Sequence, residues 1–191
     1  MKQTSSLASY PVFPNWVFTG ELSLDDELLG KILSEFESLT KSMQHGSVTF
    51  SEQNKLGQNS YSMSRLMGAI FYDNVRSHFR LPKNLCNIES ADSRFISVRP
   101  GHNLPVHINR HRWYQGAVFI KCDDAGSDIY LDMLDNKLFC SPPGVQQYRH
   151  SISPGKLKMA FWPAHIPWGM GTNNSTKDTI IFTTTFIIKR D

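Results

Sequence analysis

Cysteine is scarce in this chain. Only Cys86, Cys122 and Cys140 occur in 191 residues, an odd number with no Cys-x-x-Cys spacing. A disulfide framework and a thiolate zinc site are thereby excluded, and free thiols in a reducing compartment are expected. Long apolar runs are missing too. No stretch approaches the roughly 20 residues of a membrane-spanning helix, and no hydrophobic leader follows Met1. These absences predict an intracellular, cytoplasmic protein, or one assembled into a particle inside a cell. Charge is also sparse, with 19 % charged residues and a net charge of +3. A nucleic-acid binder concentrates basic residues in a patch, so no nucleic-acid or membrane partner is expected.

Aromatic residues are plentiful: 12 Phe, 6 Tyr and 4 Trp. Such a surplus suits sandwich cores and protein interfaces. The length fits one domain over residues 1–191 with a single substantial core. Tyr10 to Phe18 is proline-broken and reads as an extended lead-in strand. Ser23 and Asp26 have capping-box spacing. Behind them Leu28, Leu29, Ile32, Leu33, Phe36, Leu39 and Met43 recur at helical period up to Gly46, and that stripe must face a core. Ser47 to Ser60 reads as a polar loop. A second helix is predicted from about Arg65 to Phe79, stopped by Pro82.

The character then changes. Arg94–Val98, Gly116–Ile120, Ile129–Leu131, Lys158–Trp162 and Ile180–Ile188 are short β-branched or aromatic runs bounded by turn residues. A helical part over about 20–82 and a sandwich over about 92–190 follow. The predicted fold is mainly β with N-terminal helices: a jelly roll, or double-stranded β-helix, with the helices packed on one sheet.

Five features of the β half fall in a telling order, the core strand Tyr114 to Lys121 standing third among them. Arg99, Pro100 and Gly101 form a turn, and Pro105 to Asn109 should then form a strand carrying His107 and Asn109. Ser153 to Gly155 turns into Lys156 to Pro163. The run Pro163 to Gly169 ends one strand, turns, and begins another, leading through Asn173, Asn174 and Ser175 into the last strand. This order resembles the iron(II)- and 2-oxoglutarate-dependent oxygenases, and is most similar to small phage and bacterial members. The resemblance spans nearly the whole chain and is densest from Arg99 to Phe186.

That resemblance implies Fe(II) held by a histidine, a nearby carboxylate and a distal histidine, with an arginine on the final strand pairing 2-oxoglutarate. His107 falls on the first ligand. Asn109 falls on the acidic ligand, and its amide supplies no negative charge. Trp168 falls on the distal histidine, because Pro167 to Ser175 matches the family's Pro-His-Gly-Val-Gly-Pro-Asn-Asn-Ser run. A protonated indole nitrogen does not ligate iron. Thr179 falls on the cosubstrate arginine, and a hydroxyl does not replace a forked cation.

The expected function is therefore a non-catalytic domain on an oxygenase-like scaffold. It would serve as a structural or binding component of a protein assembly, for instance in a phage neck, tail or baseplate, with no cofactor. Trp168 is expected to fill the old iron cavity. The alternative is an active dioxygenase with unusual ligands. His107, Asn109 and either His111 or His165 would then hold Fe(II), with His150 within reach of the same cavity. Arg99, Lys156 or Lys158 would receive 2-oxoglutarate. His107, Asn109 and His111 share one face only if that stretch stays extended. Arg110 to Tyr114 is a solvated loop or a base-stacking patch, and Gly169 to Gly171 is a hairpin turn. Cys140 would need a base such as His150 to become a nucleophile. A jelly roll that stacks a sugar or nucleotide on Trp113, Trp162 and Trp168 is the third functional class.

Overall fold

The structure, a computed structural model, describes residues 8–12, 15–40, 46–51, 62–80, 87–132 and 149–189. In chain order these form β1 (Ala8–Val12), β2 (Asn15–Glu21), α1 (Asp26–Thr40), β3 (Val48–Phe50), α2 (Ser62–Phe79), β4 (Asn87–Val98) and β5 (Leu104–His107). They continue with β6 (Tyr114–Lys121), β7 (Ile129–Asp132), β8 (Arg149–Ile152), β9 (Lys158–Pro163), β10 (Trp168–Met170) and β11 (Thr179–Lys189). The strands make a seven-stranded sheet in the order β1-β2-β9-β6-β11-β4-β3 and a four-stranded sheet in the order β5-β10-β7-β8. Both are antiparallel, the arrangement of a jelly roll.

Period-two alternation splits the large sheet between two cores. Phe18, Phe95, Tyr114, Val118, Phe161, Phe182 and Phe186 face the helices, where they meet Ile32 of α1 and Met67, Ile70 and Phe71 of α2. Phe71 stacks on Phe186 with ring centroids 4.2 Å apart. The other face of the same strands carries Val17, Ile96, Val98, Ala117, Phe119, Ala160, Trp162 and Ile181. These pack against Leu104, Ile129, Leu131, Ile152, Trp168 and Met170, including all strands of the small sheet. The helices thus cover one face of the large sheet, and the second core lies between the two sheets.

Several local expectations change. The amide of Leu28 donates to the Asp25 carboxylate at 2.8 Å, so Asp25 caps α1 where Ser23 was expected. The lead-in stretch is a hairpin, β1 pairing with β2. Part of the polar loop after Ser47 is strand β3, which pairs with β4, and α2 begins three residues before Arg65. Gly169 and Met170 belong to β10 and do not form a hairpin turn. A side chain at Gly169 would meet the Tyr130 hydroxyl at 2.5 Å, so glycine marks a close approach within the sheet. Met43, Pro82, Cys86 and Cys140 lie outside the described residues.

Candidate functional site

The site is built where the two sheets meet at one end of the sandwich. β10 pairs with β5, placing Trp168 directly opposite His107, and on its other side pairs Trp168 with Leu131 of β7. The two rings lie 5.9 Å apart. A row of contacts extends from them across to the large sheet. Phe50 of β3 is 6.3 Å from His107, and the Arg94 guanidinium sits 4.9 Å above the Phe50 ring. On the inner side Trp162 of β9 is 5.5 Å from Trp168. Arg94, Phe50 and His107 are half-buried, whereas Trp168 is 1 % exposed and Trp162 fully buried. The row runs between the edge strands β3 and β5 of the two sheets, at the mouth of the sandwich, from half-buried rings to a buried indole.

The sequence-predicted residues separate into two groups around this mouth. His107 turns Nδ1 to the Pro105 carbonyl; a carbonyl only accepts, so Nδ1 carries the proton and Nε2 stays available. The Asn109 side-chain amide donates to the Gln115 side-chain oxygen, and its backbone amide donates to Ala164 at 3.1 Å. β5 ends at His107, and a turn closed by the Arg112 amide on the Asn109 carbonyl follows. The stretch is therefore not extended, so the shared face expected for His107, Asn109 and His111 does not form. His111 is exposed, as is His165, which lies in the Pro163–Ile166 turn.

Of the remaining candidates, Arg99, Lys156, Lys158 and Thr179 lie at the opposite end of the sandwich. Arg99 is exposed in a turn closed by the His102 amide on its carbonyl, where Gly101 takes a φ of 76° that glycine alone adopts freely. Lys156 is exposed and Lys158 half-buried at the start of β9. Thr179 is fully buried, and its hydroxyl accepts from the Ser127 amide at 3.1 Å. His150, by contrast, shares the row of the site: it pairs across β8–β7 with Leu131, which is also the register partner of Trp168, and burial lowers its pKa. Trp113, one of the three proposed stacking platforms, packs in the helix-side core and not with Trp162 and Trp168.

Two features of the mouth escape a linear reading. Arg94 alternates with Ile96 and Val98, so it turns toward the inter-sheet side of β4. Burial lowers its pKa and the Asp92 carboxylate raises it. No carboxylate among the described residues lies within ion-pair distance of it, and the Asp92 Oδ2 receives both Nε and Nη2 of Arg112 at 2.9 and 2.6 Å. The second feature is a pair of indole donors. Nε1 of Trp162 and Nε1 of Trp168 are both buried with no hydrogen-bond partner among the described residues. A buried unpaired donor costs about 1–3 kcal/mol. Arg94 could have been found from its alternation with Ile96 and Val98; the indoles carry no sequence signal for their unpaired state.

The donor set does not fit the iron centre that the resemblance implies. A dication needs charged or imidazole ligands converging on one point, and here His107 faces an indole while the Asn109 amide is held by Gln115. Among the described residues no three His, Cys, Asp or Glu side chains are grouped to hold a metal ion.

No family model and no curated protein matches the chain. Solved structures do. A prolyl-4-hydroxylase from Pseudomonas putida superposes with a TM-score of 0.57 at 12 % identity, covering 92 % of this chain and 94 % of that one. A viral collagen prolyl hydroxylase from Paramecium bursaria Chlorella virus-1 gives 0.55 at 14 % identity, covering 87 % and 92 %. The α-ketoglutarate-dependent carbocyclase SnoK of nogalamycin biosynthesis gives 0.65 at 8 % identity, covering 91 % and 81 %. The chain has the fold of the 2-oxoglutarate/Fe(II) oxygenases. Among the described residues no helix is long and apolar enough to cross a membrane, which says nothing of a β-barrel.

Proposed function

We propose that this chain is an oxygenase-fold domain that binds partners or ligands without catalysing oxidation. The observation that carries the proposal is the pairing of Trp168 with His107 across β10 and β5. The resemblance assigns Trp168 to the distal ligand position, and an indole N–H donates and does not ligate. The other altered positions support the same reading. Asn109 supplies no charge, and Thr179 is a buried hydroxyl engaged with a backbone amide. Folds outlive their chemistry because packing of the core is specified separately from the site.

Fe(II) and 2-oxoglutarate therefore have no assigned role in this chain. Association within a protein assembly belongs to the same proposal. It is supported by Val106 and Ile108, which are 50 % and 37 % exposed on or beside β5, an edge strand of the small sheet. Unpaired strand edges with apolar side chains invite partners.

Anaerobic calorimetry of the full chain with 2-oxoglutarate, before and after addition of Fe(II), tests the reading. No iron-dependent heat is expected. Saturable 2-oxoglutarate binding that appears only with Fe(II), followed by succinate release in air, would establish the dioxygenase with unusual ligands instead.

A further inference from the structure

We infer that the mouth formed by Arg94, Phe50, His107 and Trp168 is a binding site for a small flat organic carboxylate, held without a metal. The inference rests on the non-catalytic reading above and names the ligand class for the same end of the sandwich. Arg94 is half-buried with no carboxylate within ion-pair distance among the described residues, and the nearby Asp92 carboxylate is bonded to Arg112. A half-buried guanidinium is stabilised by an anion that its N–H fork can hold bidentately, and a carboxylate fits that fork. Phe50 covers the guanidinium at 4.9 Å and stands next to His107 at 6.3 Å, so the charge is bordered by ring faces. Half-exposed rings stack a flat apolar body, each pair contributing about 0.5–1.5 kcal/mol beyond area burial. The Trp168 indole lies buried 5.9 Å from His107, behind the half-buried rings.

The site differs from every cation position the sequence suggested. Arg99 and Lys156 are exposed at the far end of the sandwich, and Thr179 there is a hydroxyl. Arg94 instead lies on β4, beside the row that ends at Trp168.

The test uses benzoate as probe, with benzamide and inorganic phosphate for comparison, on the full chain in EDTA. Binding is followed through the tryptophan indole N–H resonances, with Trp168 assigned from a Trp168→Phe sample. Benzoate is expected to shift the Trp168 resonance saturably, benzamide to leave it in place, and Arg94→Met to weaken binding about tenfold or more. Arg99→Met, on the far turn, should leave the affinity unchanged. If Arg94→Met fails to fold, Arg94→Lys decides: loss of the fork should weaken benzoate, and an undiminished affinity overturns the inference. Phosphate binding without benzoate binding also overturns it. A repeat with Fe(II) separates failure of the ligand assignment from failure of the non-catalytic reading. No benzoate binding with or without metal sinks the ligand assignment alone, whereas benzoate binding that requires Fe(II) contradicts the non-catalytic reading itself.

Discussion

Trp168 and His107 are register partners across β10 and β5, with their rings 5.9 Å apart. The imidazole thus stands across from an indole and not from a second ligand.

Truncating the indole should be costly, and shaving it should not. Trp168→Ala empties a buried aromatic site between the sheets and is expected to lower unfolding free energy by about 3–5 kcal/mol. Trp168→Phe keeps most of the packing and removes a buried donor with no partner. Loss of area and relief of the orphan donor offset, so that variant should stay within about 1 kcal/mol of wild type. Urea denaturation of both variants checks the contrast; equal losses would mean that the indole N–H is satisfied in solution.

Restoring the implied ligands should restore affinity for a divalent ion. Trp168→His with Asn109→Asp places an imidazole opposite His107 and a carboxylate two residues along from it. The double variant is expected to bind Fe(II) or Ni(II) measurably in anaerobic titration. A folded double variant with no affinity for either ion would show that the resemblance misplaces Trp168 or Asn109.

Packing of the helices on the large sheet leaves no room at Gly116. A Cβ there would lie 2.5 Å from the Phe161 ring and 2.8 Å from the Met67 methyl. Gly116→Ala is expected to cost about 1–3 kcal/mol through overpacking. Because Gly116 faces the helices and not the mouth, benzoate affinity should survive in the folded fraction.

Tyr114 gives the pH dependence. Burial pushes its phenol up from 10.0 to about 12, and its hydroxyl donates to the Trp16 carbonyl at 3.3 Å. The folded state thus holds the proton more tightly than the unfolded state. The associated stability is complete below pH 10.0 and is lost as pH rises toward about 12. Tyr114→Phe should flatten this decline relative to wild type in unfolding measurements across that window. An unchanged alkaline slope would mean that the phenol is accessible to water.

The strands that carry the architecture were readable because their residues are unambiguous. β6, β9 and β11 are dense in apolar, β-branched and aromatic residues, and the stripe from Leu28 to Leu39 could only be a core-facing helix. β8 was not foreseen, since Arg149, His150 and Ser151 are polar and only Ile152 is deeply buried. Gly169 was read as a turn because glycine signals both turns and close approach, and only the position of Tyr130 decides between them. At the site, His107 and Trp168 were visible through the resemblance. Arg94 was not, because an arginine at the start of an apolar run ordinarily marks a strand end in water. Its place over Phe50 depends on β3, a three-residue strand in a stretch of polar composition.

The most direct test of the central claim is the iron content of the full wild-type chain after anaerobic Fe(II) loading and removal of excess metal. The account predicts substoichiometric iron that a chelator strips at once, because His107 faces an indole and Asn109 is held by Gln115. One tightly held iron per chain, lost in His107→Ala, would contradict it.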